Sequence, residues 1–152
     1  MAVTVKKITL WRREMEERPG ALAEALAPLA EGGADLKVVM GYRYPGPSTK
    51  AAVEVYPVAT KKLEDAARRA GLAPSSIPAL LVEGDNRGGL GHAFSRAIAD
   101  SGISMNFLVA SVVGGRYSAV IGFDTDADAG AAAKVIKKAA VKKAATARAK
   151  RR

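Results

Sequence analysis

Apolar residues along this chain change period several times, and each change marks an element. Residues 3–15, VTVKKITLWRREM, are rich in β-branched side chains and alternate in part, which predicts extended structure. Leu22, Leu26, Leu29 and Ala30 then recur at helical spacing, and the pair Gly32-Gly33 stops that helix. Residues 36–44 read as a strand, Pro45-Gly46-Pro47 as a turn, and 51–58 as a strand with Val53 and Val55 on one face. A second helix spans 60–70, capped by Thr60, with Leu63, Ala66, Ala67 and Ala70 on its apolar side and Gly71 at its end. The order then recurs: strand 77–84, turn 85–89, helix 90–101, strand 104–113, a Gly114-Gly115 hairpin turn, strand 116–124 and helix 128–140.

The recurrence extends to residues. EERPGALAEALAPLAEGGADL (16–36) and DNRGGLGHAFSRAIADSGISM (85–105) align without a gap at an offset of 69. Such a repeat predicts two similar modules related by an approximate twofold axis. Each half reads βαββα, one strand short of a split βαββαβ sheet. Under the offset, 73–84 corresponds to 4–15, and both segments are long and extended. Each is expected to serve twice, its first part closing one module and its second part opening the other. Residues 3–7 would then be the fourth strand of the C-terminal module. The fold class is α+β, with antiparallel sheets and helices on one face. The modules are placed at 1–72 and 73–140, and 141–152 as a basic, disordered tail.

Composition changes this picture in few places. The 152 residues, 49% hydrophobic and 26% charged, describe a globular chain whose roughly 70-residue halves each bury a thin core. The halves are therefore expected to pack together or dimerise. The longest apolar runs, 79–82 and 107–110, are four residues each, far short of the ~20 residues of a membrane span. No apolar segment follows Lys6 and Lys7 as a signal peptide requires, and no cysteine occurs, which suits a cytoplasmic protein. Of 24 basic residues, nine lie in 134–152 with no acid among them, so the net charge of +9 is that of the C-terminal segment and the body is neutral. That segment reads as a solubilising tail or as a salt-sensitive polyanion contact.

Strand, Asp-Asn-Arg-X-Gly-Leu, helix, Asp-X-Gly-Ile-Ser, strand, hairpin, strand, helix is a pattern that resembles the ACT domain. The second half carries it through DNRGGLGHAFSRAIADSGISMNF. The first half matches less of it, with Glu17 in place of the polar loop residue and Ala34-Asp35 in place of Ile-Ser. The resemblance runs from Val3 to about Ala140, with no catalytic or DNA-binding sequence beside it, as in a stand-alone tandem ACT protein. It implies a ferredoxin-like fold, amino-acid ligands at an interface between modules, a homodimer or higher assembly, and a regulated protein partner. By motif position it places the ligand at Asp85, Asn86, Arg87, Gly88, Gly89, Leu90, Gly91 and His92. Ser104, Met105, Asn106 and Phe107 would face that loop or the neighbouring module. Glu17, Arg18, Pro19, Gly20, Ala21 and Leu22 form the secondary loop, for ligand or interface.

The residues themselves support such a site. Glycines at 88, 89 and 91 let a ligand approach the backbone, and a helix starting near Leu90 offers unpaired N–H groups to a carboxylate. Asp85 or Asn86 can accept from an ammonium. Each feature also has a structural reading: the glycines shape a turn, Asp85 and Asn86 cap it, and Arg18 and Arg87 are surface side chains. His92, the only histidine, forms neither triad nor metal cluster. Asn106 and Lys37 are equivalent strand positions. Trp11, Tyr42 and Tyr44 near Arg12, Arg13 and Arg43 raise base stacking, with packing or an interface as the other reading. Nothing in the sequence forms a nucleophile–base pair or a phosphate loop, and nothing marks the loop carboxylates Glu83 and Asp85 as an acid–base pair. The function expected is a non-enzymatic sensor of a small ligand, needing no cofactor and no metal. The alternative is a nucleic-acid-associated protein using its basic tail.

Overall fold

The computed structural model describes residues 3–150, the side chains of 142–149 apart. In chain order the elements are β1 (Thr4–Ile8), β2 (Trp11–Glu16), α1 (Ala21–Glu31), β3 (Val38–Arg43), β4 (Lys50–Tyr56), α2 (Lys61–Arg69), β5 (Ala73–Pro74), β6 (Ala79–Asp85), α3 (Leu90–Asp100), β7 (Met105–Val113), β8 (Arg116–Phe123) and α4 (Asp126–Ala149). They form two compact units, Thr9–Ser76, and Met1–Ile8 together with Ile77–Arg152. Each is an α+β unit with one four-stranded antiparallel sheet, ordered β3-β4-β2-β5 in the first and β1-β6-β8-β7 in the second.

The strand count predicted from the repeat is met by exchange. β1 pairs with β6, from Thr4 opposite Glu83 to Ile8 opposite Ala79, and so completes the sheet built from the C-terminal half. β5 pairs with β2, Ala73 opposite Arg12 and Pro74 opposite Trp11, and completes the other. Pro74 lacks an N–H donor, and β5 is two residues long. The N-terminal strand therefore belongs with residues some 75 positions later in the chain.

The helices lie over one face of each sheet. In the unit of Thr9–Ser76, Trp11, Val53 and Val55 meet Ala25 and Leu29 of α1 and Ala66 and Ala67 of α2. The α1 stripe departs from expectation. Ala21, Ala25 and Leu29 are buried, whereas Leu22 stands on the flank of the helix with its Cδ atoms over Gly41. In the other unit Leu80, Val82 and Ile121 meet Leu90, Phe94 and Ile98 of α3, and Ala129, Ala132 and Ile136 of α4.

α4 starts at Asp126, where Thr125 Oγ1 accepts from the Asp128 N–H at 3.1 Å and two aspartates favour the positive end of the helix. It continues to Ala149 rather than ending at 140, so the backbone of 141–149, expected to be disordered, is helical. Alanine and lysine are among the strongest helix formers, and no glycine or proline interrupts the segment. Residues 151–152 of the expected tail lie outside the described residues. Among the described residues no helix is long and apolar enough to cross a membrane.

Candidate functional site

The two copies build their strand-to-helix corners alike. The Arg18–Ala21 turn is closed by Ala21 N–H to Arg18 O at 3.2 Å, and its counterpart by Leu90 N–H to Arg87 O at 3.4 Å. Gly20 at φ +88° and Gly89 at φ +83° take the left-handed position of these turns. Each is also the residue before its helix, and having no side chain it caps nothing. Thr60 by contrast accepts from the Leu63 N–H at 3.2 Å at the start of α2. The α3 corner is further anchored by Asn86 N–H to Gly115 O at 2.8 Å, matched by Glu17 N–H to Thr49 O at 2.7 Å in the first copy.

Their side chains differ. In the first copy Glu17 is paired with Arg43 at 3.2 Å, and Arg18 with Glu24. That contact raises the Arg18 pKa and lowers that of Glu24. Leu22 lies over edge strand β3 with its Cδ2 3.5 Å from where a Cβ of Gly41 would stand. Under the 69-residue offset, Leu22 corresponds to Gly91 and Gly41 to Ala110. A Cβ built on Gly91 meets nothing within 4 Å, and the same holds for Gly88. The space between helix and edge strand that Leu22 fills in the first copy is thus left without a side chain from position 91 in the second. A Cβ would fit at 88 and at 91, whereas Gly89 holds a positive φ that favours glycine.

The remaining expected site residues divide. Arg87 is half-buried and donates from Nη2 to the Ala140 carbonyl of α4 at 3.3 Å, so one arm of its guanidinium holds the helix. Asp85 pairs with Arg116 Nη1 at 2.9 Å. It shares the Glu83 side of β6, the side away from the helix-packed Val82. Leu90 is core. Asn86 and His92 are exposed.

Residues 104–107 do not join the loop within this unit. Asp85 lies opposite Arg116, and Arg116 opposite Val113, whereas Phe107 lies opposite Gly122 and Gly122 opposite Ala79. The two groups sit at opposite ends of the sheet, about 20 Å apart at the strand rise of ~3.3 Å per residue. Phe107 has a packing role there. Its Cε1 stands 2.3 Å from where a Cβ of Gly122 would be, so the ring takes the place of a side chain at 122. Asn106 donates to Asp124 Oδ1 at 3.3 Å beside the irregularity between Met105 and Phe107.

Sequence reasoning missed Tyr117 and Ala110. Tyr117 lies across Gly84, whose Cβ would meet its hydroxyl at 2.9 Å, and tilts against Phe94 at 5.8 Å between ring centroids. Burial pushes its hydroxyl pKa up, against the opposing pull of Arg87 and Arg116. The signal for Ala110 was present: carrying the offset on to the strands exposes the exchange of Leu22 and Gly41 for Gly91 and Ala110. Trp11, Tyr42 and Tyr44 of the first unit are engaged. Trp11 is buried beneath Arg68, 5.1 Å from its ring; Tyr42 donates to Glu54 at 2.9 Å and Tyr44 to Glu14 at 2.7 Å. Among the described residues no group of three or more acidic or histidine side chains could hold a metal ion.

No family model and no curated protein matches the chain in sequence. Solved structures do match its fold. A protein from Bacteroides thetaiotaomicron superposes with a TM-score of 0.70 at 13% identity, over 88% of this chain and 89% of that one. The regulatory subunit of aspartate kinase from Thermus thermophilus, in its ligand-free form, gives 0.61 at 18% identity, over 91% and 97%. Aspartate kinase from Clostridium acetobutylicum gives 0.57 at 13% identity, over 91% of this chain and 34% of the enzyme. These structures share the fold of two ferredoxin-like modules.

Proposed function

We propose that this protein is a non-enzymatic regulator that binds a small zwitterion, an amino acid by class, beside the first turn of α3. The observation that carries the reading is that Leu22, which lies over Gly41, corresponds to Gly91, whose Cβ position is open. One copy fills the space between helix and edge strand with its own leucine. The other puts no side chain there from position 91, at a helix start without a side-chain cap. The N–H groups of Gly91 and His92 there suit a carboxylate, through hydrogen bonds and the positive end of the helix dipole. Asn86 offers an oxygen to the ammonium, a role that Asp85, paired with Arg116, leaves to it. The copy at 85–92 is the receptor, and the copy at 17–22 is scaffold and interface. Residues 1–72 and 73–140 are the duplicated modules as sequence units, with strands exchanged between them, and 141–152 is a basic extension.

Likeness to the regulatory subunit of aspartate kinase supports a regulatory role over a catalytic one. Ligand acts by favouring one packing or assembly state, which a separate protein partner reads. A homodimer acting in the cytoplasm fits this reading.

Thermal-shift measurement with the common amino acids at millimolar concentration tests it, on the native protein and on Gly91→Leu. At least one amino acid should raise the melting temperature of the native protein, since a ligand well above its Kd must stabilise the fold it binds. The leucine should abolish that shift while leaving the fold intact. No shift from any amino acid, or an unchanged shift in the variant, contradicts the assignment.

A further inference from the structure

The two copies secure the end of their second helix differently, and three exchanges under the 69-residue offset account for it. In the first copy α2 ends before Gly71, which takes φ +78°, and Arg13 of β2 donates from Nη1 to the Ala70 carbonyl at 3.0 Å. The loop arginine, Arg18, is turned to its own helix and paired with Glu24. In the second copy Val82 stands at the place of Arg13, Ala93 at that of Glu24 and Ala140 at that of Gly71. The strand position offers no cation to the helix end, the α3 position offers no carboxylate to the loop arginine, and the glycine stop is gone. α4 runs on as a helix to Ala149. The arginine that reaches its backbone comes from the loop: Arg87 donates from Nη2 to the Ala140 carbonyl at 3.3 Å.

Ala140 is also where the core lets α4 go. Among the described side chains, Ala139 and Ala140 are the last of the helix packed on the core, and Val141 is 68% exposed. The backbone stays helical over 141–149. Isolated helical segments shorter than about 12–15 residues are marginal in water, so this stretch depends on the turn from which it grows. Arg87 holds that turn from inside the loop, with Asn86 before it and Gly88 and Gly89 after it. We propose that Arg87 is a positioning residue that couples the 86–92 loop to α4: an occupied loop holds the helix beyond Ala140, and an empty one lets it fray. The inference rests on the reading of that loop as an amino-acid site. Asn86 and the N–H groups of Gly91 and His92 grip the ligand on either side of Arg87, and so fix a turn that two glycines otherwise leave loose. Tethered and released Arg87 are the two states that the ligand biases, and the coupling acts equally from helix to site. The element a partner reads is then α4 beyond Ala140, in a stretch with no acid after Asp128.

Amide exchange over 138–149 on millisecond-to-second times, followed by mass spectrometry on the full chain, tests the coupling in two arms. Without ligand, Arg87→Ala should exchange faster there than the native protein by roughly 2- to 10-fold, the worth of one hydrogen bond, with α2 unchanged. In the second arm the native protein is given each common amino acid at millimolar concentration. One that raises the melting temperature should also slow exchange over 138–149. Arg13→Ala should loosen the end of α2 and leave that slowing intact. Equal exchange in Arg87→Ala and the native protein overturns the tether. An amino acid that raises the melting temperature but leaves 138–149 unchanged overturns the coupling and leaves the amino-acid reading standing. If no amino acid raises the melting temperature, that reading has failed and the coupling falls with it. The second arm needs only the native chain, so it decides whether or not Arg87→Ala folds.

Discussion

Gly122 has no room for a side chain because the Phe107 ring already stands there. Gly122→Ala should destabilise the protein by about 1–3 kcal/mol, as overpacking does. Phe107→Ala in the same chain should recover part of that loss, a coupling that a double-mutant cycle in denaturant measures. Gly91 behaves in the opposite way. Its Cβ position is open and its φ is not left-handed, so Gly91→Leu should raise stability by roughly 1 kcal/mol through helix propensity. Chemical denaturation of the free protein checks that figure. A residue whose replacement strengthens the fold and removes ligand response is one the fold does not require. At this scale the sequence was partly legible. Spacing marked Gly88, Gly89 and Gly91 as a group but could not say that Gly89 alone serves the turn. It also placed Leu22 in the core stripe, because helical periodicity identifies a buried face without saying which strand its flank overhangs.

The helices test how caps and pairs contribute. α2 is capped by the Thr60 hydroxyl, and Thr60→Ala should lower stability by about 1 kcal/mol, with no change in any ligand response at α3. Asp65 and Asp100 sit one turn after Lys61 and Arg96, whose hydrogen bonds hold both carboxyls below their usual range. Their folded pKa values are depressed, so the stability they add is present above the unfolded carboxyl range and is lost as pH falls through the lower folded values. Both pairs are exposed, so the loss should be small and flatten with added salt, which acid titration of stability at two ionic strengths will show. Element types were readable because alternation and helical spacing are local. The strand exchange was readable because each half lacked one strand. The separation of 104–107 from the loop was not, since it follows from the order of antiparallel strands rather than from nearness in sequence. The extension of α4 lay in plain view as an alanine-lysine run, where charge outweighed propensity in the reading.

For the whole molecule the exchange has a direct consequence. β1 lies at the start of the chain yet completes the sheet of the C-terminal half. Deleting residues 1–8 should therefore increase hydrogen exchange in β6 and β8 while β2, β3 and β4 keep their protection. The reverse pattern would show that β1 stabilises its sequence neighbours instead. The C-terminal excess of charge stands apart from the neutral body, and it supplies the competing reading, a polyanion contact. Backbone amide NMR during titration with the amino acid that stabilises the protein separates the two most directly. Shifts are expected at Arg87–His92 and on β7 from Leu108 to Val112, with the 17–22 loop unmoved. Absence of shifts with every common amino acid, or shifts confined to the basic end of α4 on adding a polyanion, would contradict it.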